Sequence, residues 1–375
     1  MTPWLLASGD FVPVGGMDTA NHAFASFLAR RGGADVHLVA HRVAPELASR
    51  PGVHVHRVPR PFGLHTLGEP LLTSVATRRS RDVLRSGGHV MANGGNLNAG
   101  DVAWIHYVHA AYAPVSAGTL NAVLGAFKHR QYLAAERRAL TRARLVICNS
   151  DRTVRDVVSR VEVDPARVRR IYYGIDAARF HEQGDSAAAK ARLGYRPDTP
   201  IVLFVGALGD RRKGFDTLFD AWQSVCRRSG WDAQLLVAGS GAELASWRAR
   251  AATNGTASRI TFLGYRTDVA DLMAAADLLV HPARYEAYGL AVHEALCCGV
   301  PAIVSSCAGV VERMPESLAG LVIPDANSAD DLAARLLYWR DRALDLRERT
   351  RKVGAILRTR SWDDMSREIA DIAES

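Results

Sequence analysis

The chain has 375 residues, room for two domains of ordinary size, and 48 % apolar with 23 % charged residues is the composition of a globular protein. No run of eighteen apolar residues occurs, which excludes a membrane-spanning helix, and the opening Met1-Thr2-Pro3-Trp4-Leu5-Leu6 lacks the basic flank of a signal peptide. The net charge of +8 is uneven: residues 1–183 carry 23 basic and 14 acidic side chains (+9), residues 184–375 carry 24 and 25 (−1). Such asymmetry points to an anionic partner for the first half, either a lipid surface, an anionic glycan or a nucleic acid.

Residues 4–8 read as a first strand. Gly15 and Gly16 then lead into an amphipathic helix over residues 18–31. A strand, a glycine turn and a helix N-terminus together make an anion cradle. Residues 34–40 and 53–58 read as further strands, and residues 69–85 as a helix with a basic face. Residues 90–92 form a short strand that ends in Asn93-Gly94-Gly95-Asn96. Residues 102–105 form the next strand, and His106 stands at its C-terminal end, where open α/β sheets bind ligands. A long basic helix over residues 120–144 and a strand over 145–148 follow, and Asn149-Ser150-Asp151 caps another helix. Residues 168–174 read as a strand, and residues 181–199 as a polar linker.

The second half opens with Ile201-Val202-Leu203-Phe204-Val205-Gly206, an apolar run typical of a parallel strand. The loop after it holds Arg211, Arg212 and Lys213. Lysine is scarce, with Lys128, Lys190, Lys213 and Lys352 the only four, so its place here carries weight. Strands over 234–238 and 260–263 follow, the first ending at Gly239, the second at Gly264-Tyr265-Arg266. Residues 278–280 are the next strand. A loop containing Glu286 and Tyr288 leads to Gly289 and a helix from Leu290 that carries Glu294. Free backbone N–H groups and the positive dipole end at Gly289 suit a phosphate, and nearby carboxylates suit sugar hydroxyls. Gly299 and Pro301 stop the helix, residues 302–305 resume as a strand, and a terminal helix follows Ser361. The five cysteines are odd in number and form no C-x-x-C pair, so buried reduced thiols are expected and a zinc site is not.

The spacing of Glu286 and Glu294 around Gly289, with Gly299 and Pro301, resembles the donor motif of retaining glycosyltransferases of the GT-B fold, family 4 type (glycosyl transferases group 1). Gly206 with the Lys213-Gly214 pair resembles the same family's phosphate loop, although Ala207 stands where many members have arginine. Tyr172-Tyr173-Gly174-Ile175-Asp176 resembles its N-G-V-D segment, with Tyr173 in place of asparagine. The resemblance implies an α/β protein with two doubly wound, Rossmann-like parallel sheets facing a cleft. It implies an acceptor-side domain over 1–183 joined by a returning helix over 361–375, and a nucleotide-sugar domain over 197–358. His106, Glu286 and Lys213 are the implied catalytic residues. The nucleotide-sugar would meet Gly15, Gly16, Gly206, Arg211, Arg212, Lys213, Gly239, Tyr265, Arg266, Glu286, Tyr288, Gly289, Leu290 and Glu294.

The implied activity is retaining transfer of a hexose-type sugar from a UDP- or GDP-sugar to a glycan or lipid-linked acceptor in cell-surface polysaccharide or glycolipid synthesis. No cofactor or metal is implied. A cytoplasmic location is implied, with peripheral contact between the basic half and an anionic inner membrane face. The rivals are a nucleotide-sugar epimerase, a phosphorylase and a non-catalytic module of the same fold. A nucleic-acid partner would need a basic face interleaved with aromatics, and none is visible.

Overall fold

The computed structural model describes residues 2–97, 101–112, 119–182, 184 and 186–375. They form two compact units. One comprises Met1–Gly174 with Ser361–Ser375, the other Ile175–Arg360.

The first unit is built on strands β1 (Trp4–Ala7), β2 (Val36–Ala40), β3 (Val53–Arg57), β4 (His89–Asn93), β5 (Val102–Ile105), β6 (Leu145–Cys148) and β7 (Val168–Arg170). They make one parallel sheet in the order β3-β2-β1-β4-β5-β6-β7. All four residues are buried in each of β1, β5 and β6. Helices cover both faces of a parallel sheet, so its inner strands read as continuous apolar runs and not as alternating ones. The helix Gly16–Arg30 starts directly after Gly15, whose φ of 81° lies in the left-handed region. The helix Trp362–Glu374 belongs to this unit, and Ser361 and Asp364 close its capping box. It is tied down by Trp4 Nε1 donating to Glu374 (3.2 Å) and by Arg144 donating to the Ala373 carbonyl (2.6 Å).

The second unit contains β8 (Ile201–Val205), β9 (Gln234–Ala238), β10 (Ile260–Gly264), β11 (Leu278–His281), β12 (Ala302–Ser305) and β13 (Val322–Ile323). Its sheet runs β10-β9-β8-β11-β12-β13, again parallel. The order of chain progress reverses between β8 and β11. Loops leaving the carboxyl ends of those two strands therefore open a crevice at the switch point, where doubly wound sheets bind ligands. The Lys213 loop follows β8 and the Glu286 loop follows β11.

The units meet in sequence at Gly174 and Ile175, not at residue 183. Ile175 N–H donates to the Arg360 carbonyl (3.0 Å), Arg179 to the Thr267 carbonyl (2.9 Å), and Glu182 pairs with Arg351 (2.5 Å), so residues 175–182 are bonded into the second unit. The expected linker also contains structure, a helix over Ser186–Arg192, while residues 183 and 185 lie outside the described set. Lys190 explains the discrepancy. Its ammonium is buried and pairs with Asp277 (2.7 Å), and Ala189 packs against Ala274 and Ala275. A short polar sequence read alone gives no sign of an ion pair 87 positions away.

Among the described residues no helix is long and apolar enough to cross a membrane. All five cysteines are unpaired thiols, and Cys148, Cys297 and Cys298 are buried.

Candidate functional site

The turn Arg211–Lys213 and the loop between His281 and Gly289 are fastened to each other. Gly214 has a φ of 70°, and a Cβ there would lie 1.9 Å from the Pro282 carbonyl oxygen. Only glycine permits that approach. It brings Lys213 Nζ to 2.6 Å from Glu286 Oε2. His281 Nε2 lies 3.1 Å from the same oxygen.

Burial opposes ionisation of Glu286. The Lys213 ammonium, the His281 hydrogen bond and the Arg212 charge outweigh it and hold the carboxyl well below the usual range. His281 is pushed down by its burial, so it is a neutral donor to that carboxylate near pH 7. The sequence reading missed His281. Its signal was a polar residue ending the buried run Leu278-Leu279-Val280.

Arg284, also missed, holds the two loops together. Its guanidinium donates to Asp216 Oδ1 and Oδ2 (2.8 and 3.0 Å), to Thr217 Oγ1 (3.2 Å), to Asn327 Oδ1 (2.7 Å) and to the Arg211 carbonyl (2.5 Å). Its backbone N–H donates to the Arg212 carbonyl (2.8 Å). Bidentate contact with a carboxylate fixes orientation as well as charge.

The two arginines before Lys213 differ. Arg211 is half exposed and pairs with Asp216 (3.1 Å). Arg212 is 19 % exposed at its side chain, forks onto Asp210 (2.9 and 3.1 Å) and lies close enough to lower the pKa of both Glu286 and His281.

Gly289 has a φ of 108° and precedes the helix Leu290–Cys297. The chain just before it is bonded to the next loop, with Gly309 N–H donating to Glu286 O (3.1 Å) and Val310 N–H to Tyr288 O (2.7 Å). Burial pushes the carboxyl of Glu294, on this helix, up to about 8 against a weaker opposing pull from Arg179. Gly206 and Gly239 follow β8 and β9 directly and approach each other closely. A Cβ on Gly239 would lie 1.8 Å from the Gly206 carbonyl oxygen.

One expected side chain is turned away from a ligand-facing role. Tyr288 is 2 % exposed and its hydroxyl bonds His293 Nδ1 (2.8 Å), so its ring is a core group and only its backbone borders the site. The reason is helical geometry: His293 on the first turn after Gly289 turns its ring back onto the residue before it. Tyr265 is 62 % exposed, and Arg266 is held by Asp268 (2.7 Å).

In the first unit, His106 follows β5. Its Nδ1 bonds the Tyr173 hydroxyl, while Nε2 is buried with no described partner. Burial pushes the imidazole down to about 3, so it is neutral at any ordinary pH. Gly15 and Gly16 lie at the mouth of this unit's first helix, and a Cβ on Gly15 would meet open space. Among the described residues no group of three or more His, Cys, Asp or Glu side chains is arranged to hold a metal ion.

Two family models match the chain, glycosyl transferases group 1 over residues 199–341 and glycosyltransferase family 4 over residues 14–179. A D-inositol 3-phosphate glycosyltransferase of Mycobacterium marinum is 32 % identical over 208 residues, covering 54 % of this chain and 43 % of that one. Its Mycobacterium tuberculosis counterpart is 33 % identical over 195 residues, covering 50 % and 39 %. The matches thus span less than half the length of these curated relatives. Among solved structures, WaaG, a glycosyltransferase involved in lipopolysaccharide biosynthesis, aligns with a TM-score of 0.78 at 22 % identity over 98 % of this chain and 99 % of that one. Anabaena HepE in complex with UDP and glucose aligns with a TM-score of 0.75 at 20 % identity over 99 % of both. At such identities the likeness shows the fold, which is GT-B.

Proposed function

Because this chain belongs to the group 1, family 4 glycosyltransferases, we propose that it moves a hexose-type sugar from a UDP- or GDP-sugar to a glycan or lipid-linked acceptor, with retention at the anomeric carbon. The observation that carries this reading is the contact of Lys213 with Glu286 at the switch-point crevice, three residues before Gly289 and the helix start at Leu290. HepE, a neighbour in fold, was solved with UDP and with UDP-glucose, which supports a uridine nucleotide as the first donor to test.

In this reading the anomeric carbon–phosphate oxygen bond breaks and its electron pair leaves with the nucleoside diphosphate. The acceptor hydroxyl oxygen forms the new bond, and its proton passes to the departing phosphate oxygen. The protein's task is to stabilise charge growing on the β-phosphate. Lys213 supplies a point charge, and the helix start at Gly289 supplies backbone donors. Arg212 takes the part of the arginine that Ala207 replaces, because it is the less exposed of the two arginines and its field already reaches Glu286. Arg211 is engaged with Asp216.

Lys213 and the sugar then exchange partners on Glu286. A donor diphosphate draws the ammonium away, and the ionised carboxylate is left to accept sugar hydroxyls and to oppose the positive charge that develops on the ring. Glu294 takes the ribose hydroxyls. His106 serves the transferred sugar from the first unit. These side chains leave no step that needs a metal or a cofactor, so transfer should survive EDTA. The product is a cell-surface polysaccharide or glycolipid precursor, made by a peripheral protein whose basic half meets anionic membrane. Incubating the protein with UDP-, GDP- and ADP-sugars and assaying nucleoside diphosphate release tests the reading. Release from none of them, with and without glycan acceptors, would overturn it.

A further inference from the structure

Tyr173 stands where the family resemblance expects asparagine, and the structure gives the substitution a partner. The Tyr173 side chain is buried at 3 % exposure in the first unit, one residue before the chain leaves it at Gly174. The ring lies 5.8 Å from Trp362, which limits its motion. Its hydroxyl sits between His106 Nδ1 and Asn149 Nδ2, the latter at 3.0 Å.

The polar groups behind it form a directed chain. Thr153 N–H donates to Ser150 Oγ (3.0 Å), the N-cap contact of the helix that starts at Asp151. The Ser150 and Thr153 hydroxyls are 2.9 Å apart, and Thr153 Oγ1 donates to Asn149 Oδ1 (2.8 Å). Accepting at Oδ1 orients the amide, so Nδ2 donates to the tyrosine oxygen. The phenolic proton is then directed to His106 Nδ1. A nitrogen that accepts there is unprotonated, and in a neutral imidazole the hydrogen resides on the other nitrogen. Asn149, Ser150 and Thr153 are each 1 % exposed or less, so water does not compete for these contacts.

We infer that Tyr173 is a positioning residue that locks His106 as the Nε2–H tautomer, presenting one hydrogen-bond donor to an oxygen of the transferred sugar. The unpartnered, buried Nε2 supports this, because a polar atom of that kind is costly unless a ligand completes it. An imidazole fixed at Nδ1 also keeps its ring plane, so the donor direction is set before substrate arrives. The inference rests on the reading of His106 as a sugar contact, but the tautomer itself is a property of the free protein.

Protein labelled with ¹⁵N-histidine and examined by long-range ¹H–¹⁵N correlation, with His106→Gln identifying the His106 signals, reads the tautomer without any donor. Nδ1 should resonate as unprotonated and Nε2 as protonated. Tyr173→Phe should give a mixture of the two tautomers and lower kcat about tenfold, with nucleotide KM unchanged, the pattern of a contact made to the reacting sugar alone. Asn149→Ala should loosen the tautomer in the same direction. A wild-type spectrum with the hydrogen on Nδ1, as the reversed amide orientation would give, overturns the inference. So does a folded Tyr173→Phe protein with an unchanged tautomer. The wild-type spectrum decides the matter even where a variant does not fold. A locked Nε2–H with no sugar transfer from any donor would instead leave the lock in place and defeat the proposed function.

Discussion

Lys213 Nζ lies 2.6 Å from Glu286 Oε2, although 73 residues separate the two in sequence. The pair joins the loop after β8 to the loop after β11. Lys213→Ala should lower kcat/KM by roughly 10²–10³, about 2.7–4 kcal/mol, the scale of losing one preorganised charge stabiliser. Steady-state kinetics on the released nucleoside diphosphate measures it. Unchanged constants in a folded variant would remove Lys213 from the phosphate site.

Arg284 makes the next prediction. Its guanidinium spans Asp216, Thr217, Asn327 and the Arg211 carbonyl, so Arg284→Ala removes two bonds from the partly buried Asp216 carboxylate, which keeps Arg211, and takes the guanidinium donor from the Arg211 carbonyl. A stability loss of about 2 kcal/mol is expected from such unmet groups. Arg284→Lys cannot restore the fork and should recover little of it. Thermal unfolding of both variants gives the answer, and full recovery by lysine would show that charge alone matters there.

Glu294 carries a pH signature. Burial pushes its carboxyl up to about 8, above the unfolded value of 4.5. The sign follows from proton uptake: the folded state holds this proton more tightly, so its contribution to stability is fully present below pH 4.5 and is lost as pH rises through 8. Glu294→Gln removes that slope. Its melting temperature should gain on wild type as pH is raised from 5 to 8, and a pH-independent difference would contradict the burial of this group.

The +9 charge of residues 1–183 predicts weak binding to anionic vesicles that salt releases, because exposed charges are screened within about 8 Å at physiological ionic strength. Vesicle co-sedimentation at low and high salt checks it. Absence of binding at low salt, or binding that salt leaves unchanged, would exclude an electrostatic membrane contact.

Most of the second unit's sheet was legible because its strands are unbroken apolar runs flanked by Gly and Pro. The Glu286 loop was legible because glycine, helix and proline fall at spacings that a strand–loop–helix requires. Arg284 was not, since 47 of the 375 residues are Lys or Arg and only four of those are lysine, so one more arginine carries no signal. Tyr288 misled for a related reason. An aromatic residue in a polar loop looks ligand-facing until a buried histidine five residues later is seen to bond its hydroxyl. Tyr173 was visible only as a departure from asparagine. The partner that gives it meaning, His106, is 67 positions away.

The separate duties of the two carboxylates are the core of the donor-site reading, and kinetics of Glu286→Gln and Glu294→Gln on whichever nucleotide-sugar the donor screen selects, run in EDTA, tests them most directly. Glu286→Gln should mainly lower kcat, because its contact matters as the sugar becomes cationic, with nucleoside diphosphate Kd nearly unchanged. Glu294→Gln should mainly raise KM and weaken the nucleoside diphosphate, a contact shared by every bound state. Loss of nucleotide affinity in Glu286→Gln, with Glu294→Gln keeping that affinity and losing kcat, would contradict the account.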